Sequence, residues 1–303
     1  MPIRQIKQTC VAVGDGMEIL MKSEQLAWLI RRHGIEMTHI SHGSHIGAIL
    51  SVADIVAVLY NDVANVSPEK LKDENRDRII LSKGHAGAAI YAALAEKGFF
   101  DREELKTHYA DGSRLSGHVS HKGVPGVEFS TGSLGHGACV AAGMALNAKL
   151  EKKPYYTYAI VGDGECDEGS IWEMALFANH FKLNQFVVVV DHNKMQSLDF
   201  CENTLALAPF ADKWRSFGWN VLDIDGHDHD ALRDAFAKAK ESADKPTVII
   251  ANTVKGKGVS FMEFDILWHY RFPHDGEEYD GALAELHAAM PDGVVDPYEE
   301  EAK

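Results

Sequence analysis

Residues 156–193 decide the fold: Tyr156–Val161 (YTYAIV), then Gly162–Ser170 (GDGECDEGS), a helical stretch, Phe186–Val190 (FVVVV), and Asp191-His192-Asn193. An unbroken apolar, valine-rich run such as FVVVV predicts a strand covered on both faces. Strand, glycine turn, helix and strand in succession predict a right-handed parallel crossover, which brings the carboxyl ends of both strands to one edge of the sheet. Asp163 and Asn193 follow those two ends and converge there although thirty residues separate them. Their oxygens suit a hard cation such as magnesium, which also takes oxygens from phosphate and water. Gly162 and Gly164 let the backbone approach closely and offer N–H groups beside a helix start, where a phosphate is favoured.

The alternation continues outward. Strands are expected at Arg78–Leu81, Val221–Ile224 and Thr247–Ala251, with helices over 168–182 and 230–242. The fold class is therefore α/β, a mainly parallel central sheet with helices on both faces. Upstream, residues 18–33 read as a helix. Ser51 with Asp54 reads as a capping box opening the apolar stretch SVADIVAVLY. AGAAIYAALAEKG reads as a helix ending at Gly98, and DREELKTHY as one capped by Asp101 with Glu104. The expected organisation is one domain over 1–303, with an N-terminal arm over 1–17 and a frayed acidic C-terminal tail over 281–303.

Composition limits the function. The formal net charge of −15 lacks the basic footprint of a nucleic-acid binder. No apolar run reaches membrane-span length, and MPIRQIKQTCVAVGDGMEIL is not a signal peptide, so a cytoplasmic protein without membrane or nucleic-acid partners is expected. Four scattered cysteines form no CxxC pair and suit a reducing compartment. Rival phosphate motifs fail: no GxGxxG and no GKS or GKT is present. His227 and His229 form a poor metal pair and read as a helix-start loop. The KGKG turn at 255–258 reads equally as a phosphate contact or a surface turn. Cys166 reads as a bystander in the cofactor loop.

The unit from Gly162 to Asn193 resembles the thiamine-diphosphate signature, with His192 standing where the first asparagine of an Asn-Asn pair is usual. Four further segments resemble the transketolase family, in that family's order: GSHIGAILSVADIVAVLY with His45, LSKGHAGAAIY with His85, RLSGHVSHKGVPGVEFSTGSLGHGACVAAGMA with His118, and NTVKGKGVSFMEFDILWHYRFP with His269. Tyr270 falls where a small residue is expected. The resemblance spans about residues 20–275.

It implies thiamine diphosphate as cofactor, with a divalent cation held by Asp163, Asn193 and the carbonyl of Met195. Gly164 would offer its N–H to the diphosphate. His85 and His269 would contact the same group, and Gly132 and Leu134 would lie against the cofactor. His45 and His269 would move protons on a sugar substrate, and His118 would hydrogen-bond the transferred two-carbon ketol unit. Proton transfer from hydroxyls near neutral pH is a natural task for imidazole. Glu168 resembles the glutamate that meets its counterpart across a subunit interface; as a helix N-terminal carboxylate it is also favoured by the helix dipole.

The family's second domain supplies the ring-protonating glutamate, the aromatic cradle and the sugar-phosphate grip. None has a counterpart here. The implied protein is the N-terminal subunit of a split transketolase, acting on sugar phosphates with a separate C-terminal subunit in a heterotetramer. Alternatives are a subunit of another two-component thiamine enzyme, of the keto-acid dehydrogenase or deoxyxylulose-phosphate synthase kind, or a non-catalytic thiamine-diphosphate-binding regulator.

Overall fold

The computed structural model describes residues 10–11 and 19–299. Its centre is a five-stranded parallel sheet: β3 (Arg78–Leu81), β4 (Thr157–Gly162), β5 (Phe186–His192), β7 (Thr247–Asn252) and β6 (Asn220–Asp225), in that spatial order. A short antiparallel pair, β1 (Cys10–Val11) and β2 (Ile19–Leu20), stands apart from it. The arm expected over 1–17 otherwise lies outside the described residues.

Alternate residues of the strands feed two cores. Tyr158, Ile160, Val187, Val189 and Ile249 pack on one face. Helices α1 (Ser23–Ser41), α2 (Ile46–Val58), α3 (Gly87–Glu96) and α8 (His229–Lys240) contribute to that core. Ala159, Val161, Val188, Val190 and Ile250 pack on the other face. There they meet α4 (His136–Leu150), α5 (Gly169–His180) and α7 (Phe210–Ser216). A single helical turn, α6, covers Cys201–Thr204, and α9 covers Glu277–Ala288. Burial of both faces explains the unbroken valine run, since each fully buried valine contributes about 1.5–3 kcal/mol. The helix α2 with its continuation, Ile46–Val63, is long and apolar enough to cross a membrane by length and composition. It is 83% buried within the protein, so core packing accounts for its apolarity.

Four expectations are corrected. The helix placed at 18–33 begins at Ser23 and runs to Ser41, because Ile19–Leu20 pair with Cys10–Val11 and because Gly34 admits Ile49 of α2 at close range. Ser51 does not cap α2. It lies in mid-helix, where its hydroxyl donates to Ala48 O and to Asp191 Oδ2 at 2.6 Å. The stretch after Asp101 is a 3-10 turn, Arg102–Thr107, with Asp101 accepting from Glu103 N–H. Through residue 299 the C-terminal segment is no frayed tail: 281–288 belong to α9, and the buried Asp296 carboxylate meets Arg32 Nε at 2.8 Å and His287 Nε2 at 2.7 Å. Tyr298 Oη lies 2.7 Å from His33 Nδ1. A buried arginine needs an anion, and the segment supplies it.

Candidate functional site

The carboxyl ends of β4, β5 and β7 lie side by side, with Gly162 opposite Asp191 and His192 opposite Asn252. Asp163 Oδ1 accepts from Gly164 N–H at 2.8 Å, and Oδ2 accepts from Lys194 N–H. The carboxylate thus sits against the residue that follows Asn193. Asn193 Oδ1 accepts from Met195 N–H at 3.1 Å, and Nδ2 donates to Asp191 Oδ2 at 3.2 Å. Asp163 and Asn193 are both buried. Burial, then the charge of Asp191, pushes the Asp163 carboxyl up to about 6. A divalent cation at this carboxylate would favour its charged form.

Asp191 is the hub beneath. It accepts from Lys83 Nζ, Ser51 Oγ and Thr253 Oγ1. Burial alone would raise its pKa, but the Lys83 ammonium and these hydrogen bonds hold it below the usual carboxylate range. Lys255, offered by the sequence as phosphate contact or surface turn, is buried. Its ammonium donates to Met195 O at 3.2 Å and Gln196 O at 3.3 Å and lies 2.8 Å from His269 Nδ1. Burial and the neighbouring Lys83 pull it down to about 8. Gly256, at φ +84°, makes the turn possible, since a Cβ there would stand 2.2 Å from Met262 O.

Four histidines face this edge from four segments. The ring centroid of His45 lies 5.0 Å from His85, 5.7 Å from His118 and 5.1 Å from His269; His85 and His269 are 5.7 Å apart. His45 sits at the start of α2 in a left-handed conformation, φ +77°, uncommon for a non-glycine residue and held by its N–H to His269 O at 3.1 Å. Its Nδ1 is buried without a partner. His118 is carried by a segment whose next residue, Val119, donates to Gly84 O and accepts from Thr131 N–H. Gly84 permits that approach: a Cβ would meet Thr131 O at 2.4 Å. Burial, then His118 and Lys255, lowers His45 to about 4. Burial, then Lys255, lowers His269 to about 3. His85 is held well below its usual value by burial and Lys83. Burial thus favours the neutral forms of His45, His85 and His269, each with a ring nitrogen able to accept a hydrogen bond.

The remaining expected residues surround the edge. Gly132 and Leu134 lie in the turn before α4, with Gly132 beside the His118 ring. Glu168 is exposed at the start of α5 and makes no side-chain cap bond. Gly164 N–H, expected at the diphosphate, is engaged by Asp163. Cys166 is buried, and burial raises its thiol pKa far above the reactive range. His227 and His229 do lie at the start of α8, but both clamp Asp54, at 2.6 and 3.1 Å.

Sequence reasoning missed Lys83, Asp191 and Glu165. Glu165 is buried, accepting from Ser82 Oγ, Gly135 N–H at 2.8 Å and Gly162 N–H at 3.1 Å, so it ties the Gly132–Gly135 turn to the GDG loop. A lysine two residues after the strand RIIL, and an aspartate directly after FVVVV, were the available signals. The residues fit a diphosphate bound with a divalent cation. Carboxylate and amide oxygens suit the metal, two buried ammonium groups suit the anion, and the orphaned His45 Nδ1 awaits a polar partner.

Fold and site define a parallel α/β domain built to hold a diphosphate cofactor beneath a wall of histidines. The sequence matches the family described as "Transketolase, thiamine diphosphate binding domain" over residues 22–265, and the chain belongs to that family. It is 40% identical over 256 residues to one subunit of the apulose-4-phosphate transketolase of Phocaeicola vulgatus, covering 84% of this chain and 90% of the relative. It is 42% identical over 242 residues to a 6-deoxy-6-sulfo-D-fructose transketolase subunit, SqwG, of a Clostridium species, covering 80% and 88%. The solved transketolase of Leishmania mexicana superposes with a TM-score of 0.83 at 28% identity, over 92% of this chain and 43% of that one. The chain thus spans less than half the length of that solved transketolase.

Proposed function

We propose that this chain is the diphosphate-binding subunit of a two-chain transketolase, transferring a two-carbon ketol unit from a ketose to an aldose. The observation that carries the reading is the convergence of His45, His85, His118 and His269 beside the Asp163–Asn193 edge. Two relatives named as transketolase subunits, matched over 90% and 88% of their lengths, support the two-chain arrangement. The donor is a ketose with an anionic terminal group. The relatives' names carry a phosphate in one case and a sulfonate in the other, which supports the class without choosing the sugar.

Asp163, Asn193 and the Met195 carbonyl hold the divalent cation, magnesium by donor type. Lys83 and Lys255 offset the diphosphate charge, and His85 and His269 hydrogen-bond it. Gly132 and Leu134 lie against the cofactor, and Glu168 meets its counterpart glutamate across a subunit interface. When bound, thiamine diphosphate supplies the nucleophilic carbon and electron sink for breaking and remaking a carbon–carbon bond. His45 and His269 accept and return protons at substrate hydroxyls, and His118 hydrogen-bonds the ketol oxygen. Neutral imidazoles suit this role, because an acceptor must be unprotonated before it takes a proton. We place the enzyme in the cytoplasm, where its cysteines stay reduced.

The test is to purify the chain alone and with a second chain carrying a pyrimidine-binding domain. Cofactor binding and ketose cleavage are then measured with magnesium present. Both are expected only from the pair; full activity from this chain alone overturns the two-chain reading.

A further inference from the structure

Tyr270 follows His269 directly, yet the two differ sharply in environment. His269 is 8% exposed and Tyr270 64%. The tyrosine ring stands 4.6 Å from the His269 ring and 5.6 Å from the His45 ring, measured between centroids. Its position is fixed on both sides. Upstream, His269 O is held by His45 N–H, and Trp268 is buried. Downstream, Arg271 is pinned by Glu278 and lies over the Trp268 ring. The backbone has little freedom, while the phenol points out of the core with no hydrogen-bond partner among the described residues. In the single chain a large aromatic exposed beside these imidazoles forgoes the burial that normally stabilises such a ring.

We propose that Tyr270 is a specificity-determining residue, the wall of the substrate channel that contacts the sugar beyond the bond being broken. This rests on the ketol-transfer reading above. The inner imidazoles face the ketol end, so a ring on their outer side meets atoms farther along the chain. A phenol offers one O–H donor, one acceptor oxygen and an apolar face. It therefore recognises a neutral hydroxyl carbon or an anionic oxygen by hydrogen bonding, without a full opposing charge. A donor that ends before this wall does not use it.

The experiment uses the assembled two-chain enzyme with Tyr270→Phe and Tyr270→Ala. Glycolaldehyde is the short acceptor throughout. The short donor is hydroxypyruvate. The long donor is xylulose 5-phosphate or 6-deoxy-6-sulfofructose, whichever the unmodified enzyme turns over faster. Tyr270→Phe is expected to raise KM for the long donor roughly three- to ten-fold, the loss of one neutral hydrogen bond, with kcat nearly unchanged. Tyr270→Ala is expected to raise it further. Hydroxypyruvate kinetics and thermal midpoints should stay at their unmodified values for both variants, since the side chain is exposed. Equal effects on both donors, or none on either, overturn the assignment while leaving ketol transfer standing. Absence of turnover by the unmodified enzyme with every donor overturns the ketol-transfer reading and this proposal together.

Discussion

His227 is locked to Asp54: its Nδ1 lies 2.6 Å from Asp54 Oδ2, while its Nε2 accepts the Val254 N–H at 2.8 Å. The second bond assigns the tautomer, since a nitrogen that accepts an N–H cannot itself carry the hydrogen. Nδ1–H therefore donates to the carboxylate. Asp54 lies on α2, the helix that His45 immediately precedes, and Val254 precedes Lys255. One imidazole thus ties together two segments that line the cofactor edge. Arg31 completes the network with both ends of its guanidinium on Asp54, and His229 adds a further contact.

Asp54→Ala should destabilise the chain by about 3–5 kcal/mol at pH 7, because it removes the buried carboxylate that half-buried Arg31, His227 and His229 all contact. Urea unfolding measures this. Burial alone would raise the Asp54 pKa, but Arg31, His227 and His229 hold it well below its ordinary 3.8. A depressed folded pKa contributes stability that is complete above the unfolded value. It is lost as pH falls through the lower folded value. The difference between unmodified protein and variant should hold from pH 7 to about 4 and shrink below that.

Asp163→Ala and Asn193→Ala should each abolish magnesium-dependent binding of thiamine diphosphate by the assembled enzyme, with the circular dichroism spectrum intact. Titration calorimetry with and without the metal is the measurement. Unchanged affinity in both variants would remove these residues from the metal site.

Lys255→Met should weaken the cofactor roughly 10- to 100-fold in Kd, the loss of a charge-assisted hydrogen bond. Its hydrophobic stem is nearly conserved, so packing survives, while the Met195 and Gln196 carbonyls lose a donor and the thermal midpoint falls modestly. A surface turn would leave Kd unmoved, which makes calorimetry the deciding readout.

His118→Ala should cut turnover about 100- to 10,000-fold, the usual worth of a positioned proton-transfer or hydrogen-bonding group, while sparing cofactor affinity. His85→Ala should weaken the cofactor as well, because His85 is proposed to hydrogen-bond the diphosphate. Steady-state kinetics paired with calorimetry separates the two; equal cofactor loss in both variants contradicts the division of roles.

The sequence by itself determined the parallel sheet and the edge of the site. Residues 187–190 are four consecutive valines after Phe186, a run without the polar alternation of a half-exposed strand. The turns that follow the strands must then meet at one edge, so Asp163 and Asn193 were legible together. The histidines were legible only as members of ordered segments, since no local pattern brings positions 45, 85, 118 and 269 into one cluster. Tertiary structure alone decided what neutralises what. Asp191, Lys83 and Lys255 look like ordinary polar residues beside apolar runs, and only packing removes them from water, pairs Lys83 with Asp191 and sets Lys255 against the Met195 and Gln196 carbonyls. The same holds for Asp54 with His227 and for Asp296 with Arg32. Periodicity encodes which face of an element is buried. It carries no record of which charge lies across the interface, because pairing between distant segments depends on how helices seat against the sheet.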